Sequence, residues 1–229
     1  LIHGDTPSTL VGALLAKRAR LQIAHLESGL RSESFLHPFP EEIIRVIVMK
    51  LSDVLFAPDE KAVLNLVALK VKGRIEETTT NTGIESLEEN IEEVNPASGP
   101  VIATLHRVEN LHRKKRLKGF SKLLEEVTKK GQEVLFVLHQ PTEEILRKHG
   151  IIEEIEEIGI KIVPLIPYKE FVKKIASAPY VITDGGSIQE ETAHLGVPCL
   201  LWRGKTERQN GLGQNVVISN YDKKTCEAF

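Results

Sequence analysis

Short apolar runs of strand length alternate with helix-length amphipathic stretches along the whole chain. Strand-like runs fall at 1–3, 21–26, 54–57, 101–105, 134–138, 161–166, 180–183 and 198–202, and a weaker one closes on Thr78, Thr79 and Thr80. Helical patterns lie between them at 7–20, 41–51, 60–69, 116–130, 143–148, 169–177 and 187–195. Leu117, Phe120, Leu124 and Val127 have the three-to-four spacing that lines one face of a helix, and Gly131 stands where that helix should stop. Strands that alternate with helices build parallel sheets, because a parallel crossover usually needs a helix. The expected fold class is α/β.

The alternation is interrupted once. The stretch ESLEENIEEVNPASGP, residues 85–100, is acidic and then turn-rich, as a helix running into a domain border would be. This predicts two Rossmann-like domains with parallel sheets and a ligand cleft between them, at 1–84 and 85–229. The first opens inside what reads as a core strand, so a strand and helix are expected to precede it.

Charge then removes several function classes. Lys and Arg total 30 against 32 Asp and Glu, a formal net charge of -2. A nucleic-acid binder wants a basic surplus, so none is expected as partner. No run approaches the roughly 20 apolar residues of a membrane span, and no signal peptide is visible. Cys199 and Cys226 form no CxxC pair, which points to a reducing, cytoplasmic setting. HExxH, GxSxG and GxxxxGK[ST] are all absent, so a zinc site, a serine hydrolase and a P-loop kinase lose support.

Polar clusters sit at the carboxyl ends of the strands, where open α/β sheets bind ligands. They are HGD (3–5), HLESGLR (25–31), HRVEN (106–110), HQPTEE (139–144) and TDGGSIQEE (183–191). Asp5 could simply cap the first helix, as Thr6 could. His25, Glu27 and Arg31 stand at one strand end, and the loop after them carries Glu33, His37 and two prolines before Glu41 and Glu42 open a helix. Glutamates in a first turn also suit the helix dipole. His106 and Arg107 could hold phosphate or join a surface ion-pair set. In TDGGSIQEE, Ser187 and Glu190 have capping-box spacing. Gly185 and Gly186 could equally let a diphosphate approach the amides of a helix N-terminus, with Glu191 receiving ribose hydroxyls.

In order and spacing, HGD, HLESGLR, PFPEE, LHRVEN, TDGGSIQEE and KTER together resemble the UDP-N-acetylglucosamine 2-epimerase family over nearly the whole chain. The resemblance implies a glycosyltransferase-B-like fold, no cofactor, no metal, and a UDP-sugar as ligand, held chiefly by the 85–229 domain. It implies a cytoplasmic homodimer that makes sugar nucleotides for cell-surface polysaccharide, and it places no membrane or nucleic acid among the partners. Asp5, Glu27 and Glu41 match the family's carboxylates around the sugar, and His106 its histidine near the diphosphate, giving four catalytic candidates. Gly185, Gly186 and Ser187 match the phosphate loop, Glu191 the ribose acid, Phe171 a uracil-side contact and Arg208 a phosphate- or sugar-side arginine. Arg31 and Arg107 are further substrate-binding candidates, and His139 matches a position lining a regulatory site. The chain has Gly-Gly-Ser where the family commonly has Ser-Gly-Gly, and the family's first strand and basic phosphate loop have no counterpart here. The implied reaction inverts carbon 2 of UDP-N-acetylglucosamine, or a close derivative, by UDP elimination and re-addition. Alternatives on the same architecture are a hydrolysing epimerase and a glycosyltransferase.

Overall fold

A computed structural model describes all residues except 32–39, Thr79, Glu92 and Glu207. The chain divides into two compact units, Leu1–Glu85 and Ser86–Phe229.

The first unit runs β1 (Ile2–His3), α1 (Pro7–Arg18), β2 (Ala24–Leu26), α2 (Glu41–Leu51), β3 (Val54–Ala57), α3 (Glu60–Ala68) and β4 (Arg74–Glu77), then enters α4 (Thr82–Asn90). Its four strands are parallel and adjacent in chain order. One apolar cluster joins Ala13 of α1, Ile23, and Ile44 and Val48 of α2. Another joins Met49, Leu55, Ala57, Ala62 and Leu66, and so seats α3 on β3. The helices start on different signals. Thr6 is the N-cap of α1 without a side-chain bond, and Pro7 supplies the preset φ of a first turn. Asp59 caps α3 by accepting from the Ala62 amide at 2.7 Å.

The second unit comprises β5 (Val101–Thr104), α5 (Val108–Leu111), α6 (Lys114–Lys129), β6 (Val134–Leu138), α7 (Gln140–Lys148), α8 (Ile151–Glu157) and β7 (Lys161–Pro164). It continues with α9 (Tyr168–Ser177), β8 (Val181–Thr183), α10 (Gly186–Leu195), β9 (Cys199–Leu201), β10 (Val216–Ile218) and α11 (Lys223–Ala228). All six strands are parallel, in the order β10-β9-β8-β5-β6-β7. The central strands β5, β6, β8 and β9 are buried along their whole length, as a sheet covered by helices on both sides requires. Val101 and Ala103 of β5, with Phe136 and Leu138 of β6, join the core of α6, α7 and α8. Ile102, Leu135 and Val137, the intervening positions, pack with Ile175 of α9 and Ile188 of α10. That is the period-two alternation of a strand resolved into two cores. Each fully buried large side chain, such as Phe120 or Phe136, is worth roughly 1.5–3 kcal/mol. Phe120 packs on Phe136 and Trp202 with ring centroids 5.7 and 5.9 Å apart.

Several expected boundaries move. The run 21–26 pairs only from Ala24, α6 begins at Lys114 rather than 116, and α7 begins at Gln140 with Pro141 in its first turn. Four elements have no counterpart in the periodicity reading: α5, α8, β10 and α11.

Candidate functional site

Strand order places the site of the second unit. β5 connects outward through β6 and β7, whereas β8 and its successors lie on the other side of β5. The chain direction therefore reverses between β5 and β8, and at such a point the carboxyl-end loops diverge and leave a crevice. The loop after β5 carries His106 and Arg107; the loop after β8 carries Asp184 and Gly185, and Gly186 opens α10.

Asp184 ties the two loops together. Its carboxylate is fully buried and accepts from the His106 and Arg107 amides, each at 3.0 Å, and from Asn110 Nδ2 at 2.9 Å. His106 Nδ1 lies 3.2 Å from the same carboxylate. A proton on Nδ1 pointing to Asp184 leaves Nε2 as the ring atom facing outward, on a side chain 48% exposed. The His106 ring lies so close to Gly185 that a Cβ there would stand 3.0 Å from Cε1. Any larger residue there would push the ring away from the helix start by a few tenths of an ångström. Below, Thr104 and Thr183 share a hydroxyl hydrogen bond of 2.6 Å across β5 and β8, and Thr183 Oγ1 accepts from the Gly185 amide at 2.9 Å.

Gly185 is the N-cap of α10 and makes no side-chain cap bond. The capping box is therefore not formed: Ser187 lies inside the helix and is exposed, and Glu190 does not reach back to cap. A glycine N-cap leaves the first-turn amides of Gly186, Ser187 and Ile188 without intrahelical acceptors, at the positive end of the helix dipole. Glu190 instead pairs with the Arg208 guanidinium.

The loop carrying Arg208 is pinned by Gln189, which is wholly buried. Gln189 Nε2 donates to the carbonyls of Arg208 and Asn210 at 3.2 and 3.0 Å, and Thr206 Oγ1 donates to Gln189 Oε1 at 2.7 Å. Glu191 is buried beside this pair. Tyr168 Oη donates to its Oε1 at 3.3 Å, while its Oε2 has no partner among the described residues. Burial pushes the Glu191 carboxyl up to about 7, against the pull of the Tyr168 hydrogen bond and the Arg208 charge. Burial, reinforced by the Glu191 charge, likewise pushes Tyr168 up to about 12. Phe171, one turn after Tyr168, packs half-buried against the Ile175 and Ile188 core. His139 is the exposed N-cap of α7, at the end of β6 next to β5.

In the first unit, charged side chains gather at the carboxyl ends of β1 and β2 and the start of α2. Asp5 does not cap α1; it pairs with Arg45 of α2. Arg45 Nη1 also donates to Glu42 at 2.6 Å, and the wholly buried Glu42 takes the Nε of Arg31 on its other oxygen. The result is one chain of alternating charge, Asp5–Arg45–Glu42–Arg31. Glu42, which a helix-dipole role would leave at the surface, is its centre. Glu27, at φ +53°, accepts from Thr82 Oγ1 at 2.6 Å, and His3 Nε2 lies 3.4 Å from it. Glu41 is half-buried, and its Oε2 is enclosed without a partner among the described residues. His25 is buried with Nε2 3.1 Å from the Gly4 carbonyl, and burial holds its pKa below the usual histidine range. It therefore fixes the β1 end as a neutral ring. Gly29, at φ +91°, could carry no Cβ: one would stand 2.3 Å from the Ala62 carbonyl oxygen.

Sequence reasoning placed Asp5 and Arg31 in this neighbourhood and read Glu42 only as a first-turn acid; it missed Arg45 and the Arg45–Glu42 pair, although the i,i+3 spacing of EEIIR was a legible signal. In the second unit it missed Tyr168, Asp184 and Gln189. Glu33, His37 and Pro38 lie outside the described residues. No group of three or more His, Cys, Asp or Glu among the described residues could hold a metal ion. No described helix is long and apolar enough to cross a membrane.

A parallel sheet with this strand order, and a glycine-opened helix at its switch point, puts the second unit in the Rossmann-like class. The whole chain belongs to the UDP-N-acetylglucosamine 2-epimerase family, which matches residues 1–227. It is 31% identical to a UDP-N-acetylglucosamine 2-epimerase of Methanocaldococcus jannaschii, over 100% of this chain and 66% of that protein. It is 32% identical to a UDP-2,3-diacetamido-2,3-dideoxy-D-glucuronate 2-epimerase of Pseudomonas aeruginosa, over 90% of this chain and 59% of that protein. Its fold matches the crystal structure of the M. jannaschii UDP-GlcNAc 2-epimerase in complex with UDP-GlcNAc and UDP, with TM-score 0.85 and 30% identity, covering 97% of this chain and 65% of the other. The chain thus spans about two thirds or less of the length of these relatives. The fold is α/β, glycosyltransferase-B-like, with two parallel sheets.

Proposed function

We propose that the protein carrying this chain is a sugar-nucleotide epimerase that inverts carbon 2 of UDP-N-acetylglucosamine or a close derivative. A base removes the carbon-2 proton, the bond from carbon 1 to UDP breaks with its electrons leaving on the diphosphate, and a glycal forms. Re-addition of UDP with protonation from the other face gives the epimer. The observation that carries this reading is the start of α10: a glycine-capped first turn beside the Asp184-held His106, followed by Glu191 with one enclosed oxygen that has no partner among the described residues. The amides and His106 suit a departing diphosphate, and Glu191 suits a ribose hydroxyl.

Asp5, Glu27 and Glu41 serve as the acid and base candidates, with Arg31, Arg107, Arg208, Phe171, Gly185, Gly186 and Ser187 binding substrate and His139 lining a regulatory site. The named relatives share a UDP-linked 2-acetamido sugar, which supports that substrate class. The same reading carries a cytoplasmic homodimer that supplies cell-surface polysaccharide synthesis. Incubation of the full-length protein with UDP-N-acetylglucosamine tests the activity. The expected product is the UDP-linked carbon-2 epimer. Free sugar plus UDP would point to hydrolysis, and transfer to an added acceptor would overturn the proposal.

A further inference from the structure

Glu191 differs from every other described carboxylate in the second unit. It lies on α10, buried, with Oε1 taken by the Tyr168 hydroxyl at 3.3 Å and Oε2 enclosed without a partner among the described residues. An enclosed carboxylate oxygen with no donor is costly when ionised, and it is relieved by a proton or by a hydroxyl donor from a ligand. The charged and titratable groups facing it are Glu190 on its own helix, Arg208 on the loop after β9, and Tyr168 on α9. Glu190 and Arg208 are paired with each other, so Arg208 is a divided partner.

We propose that Tyr168 is a positioning residue for Glu191: its hydroxyl fixes Oε1 so that Oε2 meets a ligand hydroxyl, and ligand binding releases the proton that Oε2 otherwise carries. This rests on the nucleoside-diphosphate reading of the α10 start given above. The geometry is one-sided: Tyr168 Oη donates to Oε1, so the carboxyl proton, when the acid carries one, falls to Oε2. Tyr168 is kept neutral up to about 12 and remains a donor throughout the working range. With its proton near neutrality, at about 7, the free site is partly protonated at physiological pH. A ribose hydroxyl donating to Oε2 favours the ionised form and expels that proton. Binding should therefore strengthen as pH rises towards 7 and level off above about 8.

The test is calorimetric titration of the full-length protein with UDP-N-acetylglucosamine between pH 5.5 and 8.5, in two buffers of different ionisation enthalpy. An unesterified terminal phosphate would itself titrate near pH 6; the sugar nucleotide has none. Wild type should release up to about one proton per site near pH 6 and none above about pH 8, with affinity rising at most tenfold per pH unit below that plateau. Tyr168→Phe should move this window upward by up to about one pH unit and leave the affinity on the high-pH plateau within a few-fold. Glu191→Gln should abolish the release. Release that persists in Glu191→Gln, a window unmoved in Tyr168→Phe, or pH-independent binding by wild type would each overturn the inference. Wild type that fails to bind at any pH would instead sink the diphosphate reading beneath it. Should Glu191→Gln fail to fold, the wild-type and Tyr168→Phe windows still decide.

Discussion

The Asp184 carboxylate holds His106 twice, by the backbone amide at 3.0 Å and by ring Nδ1 at 3.2 Å. One buried acid thus sets both the course of the loop after β5 and the face that the imidazole presents. With the Arg107 amide and Asn110 Nδ2 also donating to it, Asp184 accepts from a loop and helix start that lie more than 70 residues before it in sequence.

Replacing Asp184 by Asn keeps the shape but turns one acceptor oxygen into a donor facing donors. The buried polar groups left unsatisfied should cost about 1–3 kcal/mol. Thermal or denaturant melts would check this. His106→Gln, which removes a half-exposed ring, should melt close to wild type. Equal losses in the two variants would contradict the anchoring role of Asp184.

Arg45 carries the charge chain of the first unit. Arg45→Leu takes one cation from the buried Glu42 and the ion-pair partner from Asp5, and breaking a buried pair typically costs roughly 3–5 kcal/mol. Arg45→Lys should restore only part of that, because the ammonium donors radiate from one nitrogen, whereas the guanidinium reaches the two carboxylates from separate nitrogens, Nη1 and Nη2, in a rigid fork. Urea unfolding of the three proteins measures both steps. Full rescue by lysine would show that the bridging geometry is immaterial.

Glu191 links stability to pH with a definite sign. Its carboxyl moves from its ordinary 4.5 to about 7 in the folded chain, so between those values the native state holds more protons than the unfolded one. Its contribution is full below about 4.5 and is lost as pH rises through about 7. Glu191→Gln removes the penalty of ionising a buried acid. The variant should match wild type at pH 5 and melt roughly 2–6 °C higher at pH 8. Scanning calorimetry at the two values tests this, and a constant difference between them would exclude Glu191 as the source.

Much of this arrangement was legible in the sequence, and the failures have physical causes. The β5, β6 and β8 runs are apolar on both faces, so their burial pattern is strong over three to five residues. Short elements carry less signal: α5 has four residues and β10 three, below any reliable period. The Ser187–Glu190 spacing predicted a cap, but Gly185 caps α10 two residues earlier and Glu190 pairs with Arg208. No local pattern can show a partner 18 residues downstream. Tyr168 was missed for the same reason: its partner Glu191 lies on the next helix but belongs to a different motif. The strand-end positions of His106, Gly185 and Asp5 were found because parallel topology fixes where strand ends gather.

The decisive measurement for the proposed chemistry follows hydrogen at carbon 2. In deuterated water the abstracted proton exchanges with solvent before the glycal is reprotonated, so the product sugar should carry deuterium there. Asp5→Asn, Glu27→Gln and Glu41→Gln should each slow that incorporation by more than they weaken UDP binding, because each carboxylate acts on charge that develops in the transition state. A general acid or base contributes about 10²–10⁴-fold, and losses of that order are expected for at least two of the three. Asp5 and Glu27 already have structural partners, Arg45 and Thr82, whereas Glu41 Oε2 has none among the described residues. Glu41→Gln should therefore lower incorporation with the smallest change in melting temperature, which separates a chemical role from a supporting one. A transferase would break only the bond at the anomeric carbon and leave the carbon-2 hydrogen in place. Full turnover without deuterium in the product would eliminate the epimerase reading.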